Sequence, residues 1–154
     1  MACAQSANIN YNLGGSRVNN FSWYMPTEIL FGQGAEEKTA ELVKKHGGQR
    51  VFIVFGGGSC KKSGLLARIE RSLNAAGLVS TSFGGAQPNP LLSHARDGVR
   101  AAAKFGADFM LAVGGGSAID TAKAIAHGAA NLDIDLWDFW SGKRAVTRSL
   151  PVGV

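Results

Sequence analysis

The feature that most constrains this chain is a strand-and-glycine pattern that occurs twice. The apolar run VFIVF at 51–55 leads into Gly-Gly-Gly-Ser at 56–59, and the run FMLAV at 109–113 leads into the same four residues at 114–117. Continuous apolar runs of this length are typical of strands that are covered on both faces, as in a parallel sheet. The pattern therefore predicts two buried parallel strands, each of which ends in a glycine turn before a helix.

Segments with apolar residues at helical spacing alternate with the short apolar runs. We predict helices over 35–46, 65–76, 92–102 and 117–127, strands over 27–31, 51–55, 78–83 and 109–113, and the start of another strand at 150–154. Trp137, Phe139 and Trp140 are expected to anchor a loop. This alternation predicts an α/β fold, a Rossmann-like parallel sheet with helices on both faces. Residues 1–20 are polar and are expected to form a flexible N-terminal extension, so the domain is assigned to 21–154.

Composition narrows the possible partners. The 154 residues suit one domain, and 16 basic against 11 acidic residues give a net charge of +5, which favours an anionic partner. The basic residues are spread along the chain without interleaved aromatic residues, so we expect no nucleic-acid binding. No apolar run approaches the length of a membrane span. Cys3 and Cys60 have neither disulfide nor metal-site spacing, which favours a reducing, cytoplasmic setting.

The two glycine turns are the candidate binding elements. Glycine permits positive φ and close approach of a ligand, and the N–H groups at the start of the next helix suit a phosphate. The alternative is that each turn is only a tight connection, and the usual G-x-G-x-x-G fingerprint is absent. Ser117 and Asp120 also fit an S-x-x-D capping pattern, so Asp120 is expected to satisfy backbone donors at the helix start.

Several motifs together resemble those of the iron-containing (group III) alcohol dehydrogenases, in particular the NADPH-dependent butanol and aldehyde dehydrogenase branch. The matching segments are PTEILFG at 26–32, GGGSCKKSG at 56–64, PNP at 88–90, GGGSAIDTAKAIA at 114–126 and DLWD at 135–138. The resemblance implies a dehydroquinate synthase-like N-terminal domain, followed in the family by an all-helical domain that binds iron or zinc. We expect this chain to hold only the cofactor-binding portion and to be inactive by itself.

The resemblance also implies roles for individual residues. The pyrophosphate of a nicotinamide dinucleotide would contact Gly115, Gly116 and Ser117, with Asp120 further along the cofactor, Asn89 near the adenosine, and Gly57, Gly58 and Ser59 around its ribose. No catalytic or metal-binding residue is expected in this chain. His46, His94 and His127 match none of the family's metal ligands and are interpreted as surface or hydrogen-bonded histidines.

The first glycine turn predicts which dinucleotide is bound. NAD-selective enzymes place an acidic residue against the ribose 2′-hydroxyl, but none lies between Gly56 and Gly64. Lys61 or Lys62 could pair with a 2′-phosphate, so we expect NADP in preference to NAD. The substrate of the whole enzyme is expected to be a small alcohol or aldehyde, and the assembly a homodimer or larger. The alternatives are a polyol-phosphate dehydrogenase, a dehydroquinate synthase-like enzyme, or a non-catalytic nucleotide-binding module.

Overall fold

The structure is a computed structural model that describes Ser22 and residues 24–154. The N-terminal extension expected over 1–20 lies outside the described residues. Within them, four parallel strands form one sheet in the order β2-β1-β3-β4. The strands are β1 (Arg50–Phe55), β2 (Val79–Phe83), β3 (Phe109–Val113) and β4 (Val152–Gly153). The parallel α/β sheet expected from the sequence is confirmed.

Six α-helices and one 3-10 helix connect and flank these strands in the described part of the chain. A 3-10 turn, Ala35–Lys38, leads into α1 (Thr39–Lys45), and the other helices are α2 (Ser59–Lys62), α3 (Leu65–Ala75), α4 (Leu92–Phe105), α5 (Gly116–Ala129) and α6 (Leu136–Trp140). Gly106 ends α4 in the left-handed conformation, with φ of 71°, as is common at helix C-termini. None of these helices is both long and apolar enough to cross a membrane.

The sheet has an apolar core on each face because strand side chains alternate in direction. Val51 and Ile53 of β1 pack with α1 and α3 on one face. Phe52 and Val54 pack with α4 and α5 on the other face. Every residue of β1 after Arg50 is therefore buried, which is why this strand is apolar throughout rather than alternating.

Two segments differ from the sequence prediction. Residues 27–31 form no strand in the described part of the chain, because they are exposed and no neighbouring strand pairs with them. Trp137, Phe139 and Trp140 lie in α6 rather than in a loop. Leu136 is the buried residue of α6, whereas the two tryptophans are half exposed, so the tryptophans are not the main anchor.

Asp135 fixes the start of α6. Its carboxylate accepts a hydrogen bond from the Trp137 N–H at 2.9 Å and two from the Arg96 guanidinium, at 3.0 and 2.7 Å. The bonds from Arg96, and then the one from Trp137, lower the pKa of Asp135. The carboxylate therefore joins α6 to α4 and caps α6 at the same time.

Glycines allow α4 and α5 to pack closely. A Cβ at Gly98 of α4 would lie 2.3 Å from Cδ1 and 2.8 Å from Cγ1 of Ile125, and a Cβ at Gly128 of α5 would lie 2.4 Å from Cγ2 of Val99. Ile125 is fully buried, so its side chain has little room to move aside. The backbone of each helix thus packs against a side chain of the other helix, at Gly98 against Ile125 and at Gly128 against Val99.

We expect Gly98→Ala to destabilise the protein. Alanine in place of glycine inside a helix usually stabilises by about 1 kcal/mol, but overpacking a core costs about 1–3 kcal/mol. Because the new methyl group would overlap two carbons of Ile125, the overpacking cost should prevail. Urea denaturation should therefore give Gly98→Ala a lower free energy of unfolding than the wild-type chain.

Gly116→Ala is the matched control, because a Cβ at Gly116, also in a helix, has no atom within 4 Å. Its free energy of unfolding should equal or exceed the wild-type value. Equal stabilities of the two variants would contradict close packing of α4 on α5 at Gly98.

Candidate cofactor site

The carboxyl ends of β1 and β3 are the topological switch point of the sheet, the position at which open α/β sheets form a binding crevice. These strands are neighbours in the sheet, with Phe55 opposite Val113 at their ends. The chain after β1 leads to α3 on one face of the sheet, and the chain after β3 leads to α5 on the other. Ligands of open α/β sheets bind at such a point, where the connections diverge.

Three turns come together at this edge of the sheet. The Ala86 N–H, in the loop after β2, donates to the Phe55 carbonyl at 3.2 Å. A Cβ at Gly56 would lie 3.2 Å from the Ala86 carbonyl oxygen, and a Cβ at Gly114 would lie 3.9 Å from the Gly56 nitrogen. The two glycine turns of the sequence pattern are thus side by side, and the loop after β2 lies against the first of them.

The turn after β3 presents free backbone donors. Gly114 has φ of +148°, a conformation that other residues rarely adopt. The positions of a Cβ at Gly115 and at Gly116 are both open space, and no side chain caps α5. Among the described residues, the N–H groups of Gly116 and Ser117 have no hydrogen-bond acceptor. Free N–H groups at the start of a 14-residue helix form a ready site for an anion such as phosphate.

The capping role expected for Asp120 is wrong. The helix begins at Gly116 with Gly115 as its N-cap, so Ser117 lies inside the first turn and not at the cap position. Asp120 is exposed and makes no hydrogen bond in the described part of the chain. It lies about 6 Å along the helix axis from Gly116, at 1.5 Å per residue. Its carboxylate is therefore free to meet a ligand beside the first turn of α5.

The turn after β1 carries the two lysines of the prediction. The Lys61 Nζ lies 4.8 Å from the centre of the Phe55 ring, which holds its ammonium group near the end of β1. The Lys62 Cε would lie 3.7 Å from a Cβ at Gly58. Gly57, Gly58 and Ser59 are exposed. Exposed turn backbone and two cations thus occupy one side of the crevice.

Asn89 is exposed in the loop after β2 and has φ of +56°. Because the strand order is β2-β1-β3, the turn after β1 lies between this loop and the turn after β3. The three loops that carry the predicted residues therefore follow one another along this edge of the sheet.

The histidines do not form a metal site. No group of three His, Cys, Asp or Glu side chains that could hold a metal ion is found among Ser22 and residues 24–154. His46 Nε2 lies 2.8 Å from Glu28, and His127 Nδ1 lies 3.0 Å from the Ser149 hydroxyl. The interpretation fails for His94, because its Nε2 is buried without a hydrogen-bond partner in the described part of the chain. No sequence signal distinguishes His94 from the other two, since its surroundings come from β2 and the loop after it.

A separate groove of about 550 Å³ lies beside β3 and β4. It is lined by Leu42, Ile69, Leu111 and Val152, with Ile29 and Leu30 from the segment before the first helix. Of the two glycine turns it touches only Gly114. This mainly apolar groove is therefore distinct from the crevice in which the backbone donors converge.

Comparison with known proteins identifies the family of this chain. Residues 26–154 match the family model of iron-containing alcohol dehydrogenase. The chain belongs to this family. This membership favours the alcohol dehydrogenase hypothesis over the polyol-phosphate dehydrogenase and dehydroquinate synthase-like alternatives.

Individual members of the family show the same resemblance. The chain is 42% identical over 136 residues to a probable NADH-dependent butanol dehydrogenase of Bacillus subtilis, covering 88% of this chain and 35% of the relative. It is 38% identical over 139 residues to the NADPH-dependent aldehyde reductase YqhD of Escherichia coli, with coverage of 88% and 35%. The crystal structure of the NADH-dependent butanol dehydrogenase A of Thermotoga maritima superposes with a TM-score of 0.83 at 39% identity, over 86% of this chain and 33% of that one. The chain thus spans about a third of the length of these relatives.

The environment of His127 yields a pH prediction. Burial, and then the charge of Lys123, lower the pKa of His127 below its usual 6.5. The unfolded chain therefore binds more protons than the folded chain between pH 6.5 and the lowered folded value, so the free energy of unfolding falls as the pH drops through this window. We expect His127→Gln to lose less stability than the wild-type chain between pH 7.5 and 5.5, as measured by urea denaturation.

An NMR titration of the wild-type chain provides the direct check. The His127 ring signals should give a midpoint below 6.5. A midpoint at or above this value would refute the effect of burial, as would equal pH dependence of the two unfolding curves.

Proposed function

We propose that this chain is the dinucleotide-binding portion of a metal-dependent alcohol dehydrogenase that interconverts primary alcohols and aldehydes by hydride transfer. The observation that carries the proposal is the convergence of two glycine turns at the carboxyl ends of β1 and β3. A nicotinamide dinucleotide supplies the hydride chemistry when bound, and the protein supplies its binding and orientation. Membership of the family supports the reaction class.

We propose the following roles for the exposed turns along the cofactor. The free N–H groups of Gly116 and Ser117, with the open backbone at Gly115, bind the pyrophosphate. Gly57, Gly58 and Ser59 surround the adenosine ribose, and Asn89 lies near the adenosine. Asp120 contacts the cofactor beyond the pyrophosphate, where its free carboxylate accepts hydrogen bonds from hydroxyl groups. None of these residues is assigned a catalytic role.

The described residues do not fit a metal site, because they contain no cluster of three potential ligands. No step of the reaction is therefore assigned to a metal ion held by these residues. Iron or zinc, the alcohol or aldehyde and the complete reaction are proposed for the longer enzymes that the chain resembles. By itself the chain is expected to bind dinucleotide and to turn over little or no alcohol. A non-catalytic nucleotide-binding module would also bind dinucleotide.

The finer choice between NADP and NAD depends on the first glycine turn. The relatives are mixed, since the Bacillus and Thermotoga proteins are named as NADH-dependent and the Escherichia protein as NADPH-dependent. Here the turn has no acidic residue to repel a 2′-phosphate, and Lys61 and Lys62 follow it on α2. We therefore propose NADP as the preferred cofactor.

Self-association is also part of the proposal. Ile29 and Phe31 are 74% and 97% exposed, and Ile29 borders the groove beside β4. Exposed apolar side chains next to an apolar groove favour contact with another protein surface. We propose that the whole enzyme is a homodimer or larger assembly and that it works in the cytoplasm.

Calorimetric titration with NADPH and, separately, with NADH tests the proposal. We expect both to bind and NADPH to bind more tightly. The double substitution Lys61→Met, Lys62→Met should weaken NADPH binding by about 10-fold or more and leave NADH binding nearly unchanged, because a hydrogen bond to a charged group contributes about 1.5–3 kcal/mol.

Lys44→Met is the control for a lysine far from the glycine turns, because it removes a positive charge from α1, next to the amino-terminal ends of the strands. It should leave both dissociation constants close to the wild-type values. Tighter binding of NADH than of NADPH would refute the NADP preference. Binding of neither dinucleotide by folded protein would refute the assignment of the glycine turns.

A further inference from the structure

His94 lies beneath the loop that connects β2 to α4, residues 84–90. Its ring stacks on Phe83, with 4.6 Å between ring centres and 21° between ring planes. A Cβ at Gly85 would lie 3.3 Å from Cε1 and 3.8 Å from Nε2 of His94. The imidazole is thus enclosed between the end of β2 and the first residues of this loop.

The Nε2 atom of His94 is the unusual group. It is buried, and within the part of the chain that the structure describes it has no hydrogen-bond partner. Buried polar atoms are almost always paired, so an unpaired one calls for a specific explanation. It is the one such side-chain nitrogen or oxygen among the described residues.

The loop above His94 is anchored near β2, where Ala86 is buried, and exposed further along. Among the described residues, its backbone makes one hydrogen bond, from Ala86 to Phe55. Gly85 and Asn89 both have positive φ, at 97° and 56°. Residues 87–90 are exposed. Segments with few hydrogen bonds and high exposure are those that shift most easily, so residues 87–90 are the part of the loop that a ligand could move.

The other side of the imidazole is fixed. Phe83 packs against Phe52, with 5.6 Å between ring centres, and Phe52 is only 2% exposed. The stack therefore ties His94 to the core between β1 and α4.

We propose that His94 is a positioning residue for the adenosine half of the dinucleotide. When the cofactor binds against residues 87–90, a backbone group of this segment forms a hydrogen bond with Nε2 and holds the loop in place. The loop backbone offers both donors and acceptors, so either tautomer of the neutral ring can serve. This inference rests on the proposed function, because it assigns Asn89 and its loop to the adenosine side.

The decisive variant is His94→Phe, which keeps a ring for the Phe83 stack and removes the nitrogen. Its unfolding temperature should equal or exceed that of the wild-type chain, because no buried polar atom is left unpaired. Its dissociation constants for NADPH and for ADP-ribose should rise about fivefold, the equivalent of about 1 kcal/mol for one hydrogen bond. Binding of reduced nicotinamide mononucleotide, which lacks the adenosine half, should not change.

Two further variants separate positioning from structure. His94→Gln carries both a donor and an acceptor and should recover part of the lost affinity for ADP-ribose. His46→Phe makes the same substitution at a histidine that is exposed next to Glu28, and it should leave all three dissociation constants unchanged.

Two different results would contradict the proposed role of His94. Wild-type affinity for ADP-ribose in His94→Phe would show that Nε2 has no part in binding. A lower unfolding temperature with equal weakening of all three ligands would show that His94 acts only on stability. If the wild-type chain binds NADPH, either result overturns this inference alone. If the folded wild-type chain binds none of the ligands, the proposed function fails and this inference fails with it.

Discussion

The parallel pairing of β1 with β3 is the interaction on which the rest of this structure depends. Both strands are apolar along almost their whole length because both of their faces are covered. Covering both faces requires α1 and α3 on one side of the sheet and α4 and α5 on the other. The connections that follow the two strands then leave in opposite directions, and a crevice remains between their carboxyl ends. The position of the candidate cofactor site is thus a geometric consequence of how the core is packed.

Glycine contributes to this arrangement in two physically different ways. At Gly114 the backbone has a φ of +148° that directs the chain from β3 into α5. At Gly98 and Gly128 the backbone is ordinary helix, and it is the missing side chain that lets α4 and α5 approach each other. The first role exposes backbone donors at the sheet edge. The second role packs α5, whose N-terminus presents these donors, closely against α4.

The sequence predicted the parts of the fold that local patterns determine. β1 and β3 are continuous apolar runs, so their type and limits follow from the residues themselves. The strand expected at 27–31 does not form, because pairing needs a neighbouring strand that no local pattern can supply. The capping role predicted for Asp120 is wrong because α5 begins at Gly116 and not after Ser117. The burial of the His94 Nε2 depends on contacts with Phe83 and Gly85. Tertiary contacts, invisible in one sequence, decided these cases.

The contact between the Lys61 ammonium and the Phe55 ring is weaker than the bond that Lys61 would make to a 2′-phosphate. An ammonium group over an aromatic ring at an exposed site gains about 0.5–1 kcal/mol, whereas a hydrogen bond from a charged group contributes about 1.5–3 kcal/mol. Lys61 would therefore leave the ring when a phosphate group arrives, and until then the ring keeps the ammonium near the end of β1. Relatives that match this chain over a similar range are named for different cofactors. Membership of the family therefore does not determine the cofactor, and the proposed preference rests on the side chains around the first glycine turn.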